Sequence, residues 1–570
     1  MSVMDAFRDD VAKAVADALS KIGSDTAFEI ETPSTDAADL AVPCFILARS
    51  MKRSPTDIAA DLARYIEPRG TIASVHAVSG YLNFMMDRTA LINGTVSEIL
   101  EKKDRYGYLP PKGKTVNVEH TSTNPTGPIH VGRARNPIIG DTLAKCLSRC
   151  GYDVTTEYYV NDVGKQVVTL TWGVSNISGD VAKADRNKTD HNLVAFYRLA
   201  NDMTESDPKV SEEISSMLRR FENGDPEVIS NVRRTTEMML AGLKETLSAM
   251  GVELDVYTWE SKYIENGDAR NVVEKLKTSK YAGEDDGAWY LDLEDFGVHG
   301  MNKRFTFTRN DGTTLYTTRD VAYHEDKLSR YDRVINVLGE DQKLGSKQLM
   351  CALEILSSNK MPEPMFYSFV SLPEGKMSTR KGVVVYLDDL IDESVEYAYS
   401  EVKARRNDLS EEKMREITKT IGIGAIRYNI VRIQPEKQLV FKWSEALNFD
   451  GNSGPFLQYS HARACSILRK AGNFTRTADA SKLTDEYEVK LVKVLSKFAS
   501  VIASAGEERK VHLIPAYGHE VASAFNQFYA AVPVLNSGDA KDARLSLVEC
   551  TRTVLNNVLE CLGIGAPEEM

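Results

Sequence analysis

The 570-residue sequence has no uninterrupted run of the ~18 apolar residues that a bilayer-spanning helix needs, so no membrane span is expected. Cysteine is sparse: seven residues, at 44, 146, 150, 351, 465, 550 and 561. An odd, scattered set gives no disulfide framework and fits a reducing compartment. Cys146 and Cys150 share one helix face, but no second pair and no flanking histidine completes a zinc-ligand set, so no structural zinc is expected. Excess positive charge is absent too. Lys and Arg number 70 against 82 Asp and Glu, a formal net charge of −12. That excludes a chain coated in basic patches and leaves room for a local basic groove only. The opening MSVMDAFRDDVAKAVADAL carries acids and lacks a cationic lead into an apolar core, so it does not read as a secretory signal. Internal repeats and low-complexity tracts are also lacking. The expectation is a soluble, cytoplasmic chain of roughly two to four domains.

What is there is organised around Glu119 to Gln166. A strand is predicted at Thr115–Glu119, followed by a turn-rich loop, Thr123-Asn124-Pro125-Thr126-Gly127-Pro128, and then Ile129-His130-Val131-Gly132-Arg133. A helix-period run follows, with Ile138, Ile139, Leu143, Ala144 and Leu147 on one face, and ends at Gly151. Tyr152 to Val160 reads as the next strand. Strand, loop, helix and strand in this order make the repeating unit of a parallel nucleotide-binding sheet. A helix start offers free N–H groups and the positive end of a dipole, so phosphate binds there. His130 precedes that start, and Gly132 lets the backbone come close to a ligand. Taken alone, His130 reads more readily as a turn histidine.

A second stretch, Gly375-Lys376-Met377-Ser378-Thr379-Arg380-Lys381-Gly382, packs three cations and two hydroxyls between glycines. It suits a clamp on polyphosphate, although in isolation it reads more readily as a solvated basic turn.

Together the two stretches resemble the HIGH and KMSK signatures of class I aminoacyl-tRNA synthetases, and more closely those of arginyl-tRNA synthetases. The carriers are NPTGPIHVGRARNPIIGD (from Asn124), EYYVNDVGKQ (from Glu157), LYTTRDVAY (from Leu315), GKMSTRKGVVVYLDDL (from Gly375) and ALNFDGNSGPFLQYSHAR (from Ala446). The ending from AFNQFY to LGIGAPEEM adds to them. These segments run in the family's order and span nearly the whole chain. The resemblance implies an α/β, Rossmann-like catalytic domain with an N-terminal α/β module and a C-terminal all-helical domain. It implies ATP-dependent ligation of L-arginine to its tRNA through an arginyl-adenylate, with magnesium accompanying the nucleotide and a monomeric chain.

The boundaries read as follows. Residues 1–100 form the N-terminal module, 101–112 a linker, and 113–385 the catalytic domain with a mostly helical insertion at about 174–285. Residues 386–420 are connector helices, and 421–570 a helical, anticodon-binding domain. By resemblance, the first module meets the tRNA elbow, with Asn83 and Phe84 as contacts if a strand edge is presented. In the last, Phe456 and Tyr459 near Arg463 combine aromatics with a cation, as unpaired RNA bases require.

The site follows from the same resemblance. His130 and Gly132 serve the nucleotide, Lys376 and Lys381 hold its outer phosphates, and Ser378 adds a hydroxyl beside Met377. Arginine's guanidinium is a rigid fork of donors that carboxylates read best, which selects Glu119 and Asp320. Tyr316, four residues before Asp320, gives a planar wall. Asn124 and Gln342, with Ser122 nearby, take the α-amino end. Two positions depart from the family pattern. Arg133 stands where HIGH ends in histidine, and Thr379 where KMSK ends in lysine. The lysine that many family members carry just before HIGH is Gly127 here, leaving Lys381 or Arg380 as substitutes. Rival readings are a glutamyl- or cysteinyl-type synthetase, a synthetase-like sensor that does not charge tRNA, and a nucleotidyltransferase acting on a small molecule.

Overall fold

A computed structural model describes residues 2–33, 38–179, 184, 186–371, 385–406 and 408–570. Helix α1 (Val3–Lys21) starts at Ser2, whose side chain accepts from the Asp5 N–H while Asp5 caps the Ser2 N–H in return. Its buried stripe is Phe7, Val11, Val15 and Leu19 at four-residue spacing. Strand β1 (Leu40–Pro43), α2 (Phe45–Met51), α3 (Pro55–Tyr65), β2 (Ile72–Val78), β3 (Tyr81–Met86) and α4 (Arg88–Lys102) complete the module, with sheet order β1-β3-β2. Strand β3 is therefore central and not an edge. Its alternation sends Leu82, Phe84 and Met86 into the core. Phe84 is fully buried, so the expectation that it contacts RNA is withdrawn.

Strand β4 (Thr115–Glu119) leads through a loop and one tight turn to α5 (Arg135–Arg149), then to β5 (Asp153–Val160). Helices α6 (Lys165–Asn176), α7 (Thr189–Ser206), α8 (Pro208–Glu222) and α9 (Pro226–Ala249) follow, with Pro at the first turn of α8 and α9 and an aspartate capping each. Then comes β6 (Val256–Trp259), which pairs in parallel with β5. The expected helical insertion at 174–285 is corrected accordingly: a strand of the central sheet lies inside it. Four residues bounded by polar loops are too short for periodicity to reveal.

After the short α10 (Lys262–Glu265) and α11 (Asp268–Lys277), an antiparallel sheet β7 (Ala282–Asp285), β8 (Ala288–Asp292), β9 (Arg304–Thr306) packs beside the main one. The Asn310-Asp311-Gly312 turn follows, with Gly312 at φ +82 and Thr308 bridged to Thr314. Helix α12 (Tyr316–Arg330), β10 (Arg333–Gly339), α13 (Lys343–Ile355), β11 (Glu363–Tyr367) and β12 (Val370–Ser371) complete this half. The five-stranded parallel sheet has the order β11-β10-β4-β5-β6. Strand order reverses between β4 and β10, so the crevice at their C-terminal ends is the ligand position of an open α/β sheet.

The remainder is helical: α14 (Leu387–Arg405), α15 (Glu411–Val431), the two-residue strand β13 (Leu439–Val440), α16 (Trp443–Ala446), α17 (Gly454–Ala471), α18 (Glu486–Ser496), α19 (Phe498–Glu507), α20 (Leu513–Ala531) and α21 (Lys541–Cys561). Helix α15 runs through the expected boundary at 421. It packs on α14 and α17 and also on α5, because its second half, Ile421 to Val431, is buried all round. Strand β13 pairs in parallel with β12, tying the helical part to the sheet.

Candidate active site

The loop after β4 turns sharply. Thr121 and Ser122 hold φ of 72 and 33, which β-branched and other side chains rarely tolerate without compensation. The compensation is visible. The Thr121 N–H donates to Asn136 Oδ1 at 2.7 Å, the Asn136 amide donates to the Val337 carbonyl at 3.1 Å, and the Ser122 hydroxyl accepts from the Tyr159 N–H at 3.0 Å. The loop is thus pinned to α5, β10 and β5 together. His130 caps the turn before α5, its Nδ1 accepting from the Gly132 N–H at 2.9 Å. Partial burial, and then the Arg133 charge, hold the His130 imidazole below its ordinary pKa. A Cβ at Gly132 would sit 3.0 Å from His130 Nδ1, so the glycine is what allows this close turn.

Arg133 crosses to the opposite rim. Its guanidinium lies 3.5 Å from Asp341 and 5.6 Å from the centre of the Phe369 ring. Arg135, two residues on, is fully buried. Its Nη1 donates to the Ser368 and Lys437 carbonyls (2.9 and 2.7 Å) and its Nη2 to those of Ile433 and Gln434 (3.1 and 3.0 Å). Burial pulls its pKa down to about 10.

Glu119 and Asp320, expected to face a guanidinium, lie at the two ends of one buried polar chain. Lys327 Nζ donates to Glu119 at 2.6 Å and to Asn336 Oδ1 at 3.0 Å. The Asn336 amide meets His324 Nε2 at 2.7 Å, and His324 Nδ1 lies 3.1 Å from the Asp320 carboxylate and 2.8 Å from its backbone carbonyl. Lys327 is wholly buried and sits 4.0 Å from the centre of the Tyr323 ring, which stacks on Tyr159 at 4.2 Å. Ser122 donates to the second Glu119 oxygen at 3.0 Å. Glu119 therefore has two internal partners, and Ser122 acts on it and on β5. The alternative partner of Asp320, Arg319, is engaged elsewhere, in a buried ion pair with Glu260.

Tyr316 is 65% exposed at the first turn of α12, on the same face as Asp320. Gln342 ends the turn after β10, the strand that pairs with β4. Asn124 is exposed, its amide 3.3 Å from Gln166 Oε1. Lys376, Met377, Ser378 and Lys381, with Arg380, lie outside the described residues.

Lys327, Asn336, His324 and Gln166 were not among the expected site residues. Asn336 was findable as a polar side chain in the apolar strand Val334-Ile335-Asn336-Val337, since a buried amide must have partners. Lys327 was findable as a cation on the buried face of α12, spaced with Asp320 and Tyr323.

Asp190, His191 and Asp388 also converge within metal-binding reach. There Lys188 Nζ lies 3.1 Å from Asp190 and 3.2 Å from Asp388, so an ammonium already supplies the positive charge. Among the described residues each cysteine is a buried free thiol.

On the helical part, Arg463 donates to Asn526 at 2.7 Å and lies 4.7 Å from the Tyr459 ring centre and 6.0 Å from that of Tyr529. Both tyrosines are about 40% exposed and border a cavity of about 300 Å³ with Arg406, Arg469 and Lys470. Phe456 is half-buried against His519. Asn83 is half-buried in β3, on the face opposite Phe84.

Three family profiles match the chain: "tRNA synthetases class I (R), catalytic domain" over residues 95–443, "DALR anticodon binding domain" over 457–570, and "Arginyl tRNA synthetase N terminal domain" over 8–86. The arginine–tRNA ligase of Methanocella arvoryzae is 49% identical over 530 residues, 92% of each chain. That of Methanothermobacter thermautotrophicus is 40% identical over 563 residues, 98% of each. Among solved structures, Thermus thermophilus arginyl-tRNA synthetase aligns with a TM-score of 0.84 at 27% identity, covering 99% of this chain and 100% of that one. Arginyl-tRNA synthetase from Plasmodium falciparum shares the fold, with a TM-score of 0.80 at 17% identity, over 99% of both chains.

Proposed function

The chain belongs to the arginyl-tRNA synthetase family of class I, and from that premise we propose how its residues divide the work. The reaction is ATP-dependent formation of arginyl-tRNA for translation. An arginine carboxylate oxygen attacks the α-phosphorus of ATP, the bond to the β-phosphate oxygen breaks, and pyrophosphate leaves. A ribose hydroxyl at the tRNA end then attacks the adenylate's carbonyl, and AMP leaves. Both steps are governed by positioning and by charge stabilisation on phosphate.

The observation that carries the assignment is the buried chain from Glu119 to Asp320 at the sheet's switch point. In this reading Asp320 takes the guanidinium. Its carboxylate faces the crevice with His324 as one polar neighbour. Glu119, oriented by Lys327 and Ser122, supplies negative potential at the pocket's other wall. Tyr316 closes the side, and Asn124, braced by Gln166, and Gln342 take the α-amino end. A site arranged in this way favours a cation with a planar fork of donors over glutamate or cysteine.

His130 and the start of α5 take the ATP phosphates, Gly132 gives room for the adenosine, and Lys376, Ser378 and Lys381 remain assigned to the outer phosphates. Magnesium accompanies the nucleotide. Arg133 does not replace the family's second histidine as a free base. Its contacts with Asp341 and Phe369 support a role bracing the far rim. For tRNA, Tyr459, Tyr529 and Arg463 form the surface for unpaired bases, and Asn83 is the elbow contact. We further read the enzyme as a cytoplasmic monomer.

ATP–pyrophosphate exchange with each amino acid, with and without tRNA, tests the reading. Exchange with arginine alone, and only when tRNA is present, is expected. Exchange driven by another amino acid would discard the roles of Glu119 and Asp320. Arginine or tRNA binding without any exchange would favour a sensor.

A further inference from the structure

Three cations from α7 and the residues before it reach the start of α14. Lys188 is spent on Asp190 and Asp388. Arg186 is spent on Asp389, at 3.3 Å, and on Asp392. Arg198 differs. It is exposed on α7, its Nη2 donates to the Tyr386 hydroxyl at 2.6 Å, and among the described residues no carboxylate pairs with it.

A series of contacts locates this guanidinium. Val194, one turn earlier on α7, covers Gly127 so closely that a Cβ there would lie 2.9 Å from it. The His191 ring stands edge-on to Tyr386 at 5.0 Å. The Tyr386 backbone pairs antiparallel with His130, flanked by the Val131 N–H donating to the Val385 carbonyl at 3.0 Å and the Leu387 N–H to the Ile129 carbonyl at 2.8 Å. Arg198 is therefore laid beside the segment that leads into the first turn before α5. From Glu119 to Gly132 that segment has no Lys or Arg. Its first cation, Arg133, faces Asp341, and His130 is held toward its neutral form.

We propose that Arg198 binds a phosphate of ATP, and of the departing pyrophosphate, as a cation lent by α7 to the nucleotide site. The inference rests on His130 and the start of α5 being that site. The Tyr386 hydroxyl fixes one arm of the fork and leaves the remaining N–H groups for two phosphate oxygens, the geometry in which arginine surpasses lysine. Tyr386 is the positioning residue. A phosphate of the tRNA acceptor strand is the competing occupant, less favoured because the contacts of Arg198 lead to His130.

The test is ATP–pyrophosphate exchange by the full chain at saturating arginine and tRNA, comparing wild type with Arg198→Met, Arg198→Lys and Tyr386→Phe, alongside tRNA binding. In Arg198→Met the KM for ATP and for pyrophosphate should rise roughly tenfold or more, the scale of a lost charged hydrogen bond. The KM for arginine and the tRNA Kd should stay within about twofold of wild type. Arg198→Lys and Tyr386→Phe should fall between. Unchanged ATP and pyrophosphate KM in Arg198→Met overturns the proposal, as does a weakened tRNA Kd with normal ATP KM. A wild-type chain without arginine-dependent exchange overturns the reading beneath it, a result seen before any variant is made.

Discussion

Among the described residues the Asp320 carboxylate pairs with one side chain, His324 at 3.1 Å, whereas that of Glu119 has both Lys327 and Ser122. The same substitution chemistry should therefore separate them. Asp320→Ala leaves no buried charge stranded. It should raise the arginine KM at least ~100-fold, roughly 2.7 kcal/mol, with little change in the urea midpoint. Unchanged arginine saturation would remove Asp320 from the pocket. Glu119→Gln strands the buried Lys327 ammonium and should cost roughly 3 kcal/mol or more of stability in urea; an unaltered midpoint would show that the pair is not desolvated. His120 gives a pH signature. It is 1% exposed, and burial depresses its pKa to about 4, against ~6.5 in the unfolded chain. Between those values the unfolded chain takes up a proton that the folded chain refuses. This stability contribution is therefore complete above ~6.5 and is lost as pH falls through that window, about 2 kcal/mol between pH 7 and 5. Denaturation at the two pH values should show that loss shrinking by this amount in His120→Gln. An identical loss in both proteins would refute it.

Helix α5 opens with Arg135, whose guanidinium gathers four backbone carbonyls from Ser368 and from the 433–437 segment after α15. Among the described residues no carboxylate pairs with it, so removal orphans buried acceptors. Arg135→Gln should destabilise the chain by about 3 kcal/mol in urea, and Arg135→Lys should rescue little, since an ammonium cannot span the set. Full rescue by lysine would mean that only charge mattered. Arg135 also shows where the sequence stops informing. Strand β4, helix α5 and strand β5 were legible because hydrophobic period switches from two to near four between Glu119 and Ile138, and Gly151 marks the exit. The placing of Glu119 at the end of β4 and of Asp341 and Gln342 just after β10 was legible because strand ends are recognisable. The partners of Arg135 were not, being contributed from 233 to 302 residues downstream, a distance over which no local pattern operates. Strand β6 was hidden by its length. Phe84 was misjudged because alternation gives two faces without saying which is wet. Helix α15 crosses the expected limit at 421 because it keeps its first half charged and buries its second.

Across the whole molecule, the main hydrophobic cluster takes in residues from Phe7 to Ile564, beside two smaller ones reaching from Tyr263 to Leu353 and from Val163 to Val232, and polar ties reinforce it. Arg427, fully buried on α15, donates from Nη1 to the Met250 carbonyl at 2.7 Å after α9 and from Nε to the Leu562 carbonyl at 2.5 Å after α21, and its Nη2 pairs with Asp141 on α5. Burial raises the Asp141 pKa, but Arg427 and then Lys145 outweigh it and leave the carboxyl below its ordinary value. One guanidinium thus joins α5, the helices after β5, and the end of the last helix. A core shared in this way resists stepwise loss of one part. The helical part and the sheet are expected to unfold in one transition, with tryptophan fluorescence and circular dichroism coincident. Arg427→Met leaves two carbonyls without a donor and Asp141 with Lys145 alone. It should move that single transition to lower urea by about 3–5 kcal/mol. Two resolved transitions in the wild-type chain would overturn the shared-core argument. A single transition in wild type that splits only in the variant would instead identify Arg427 as the main tie, with the apolar contacts between α15 and α5 too weak to hold the two parts together without it.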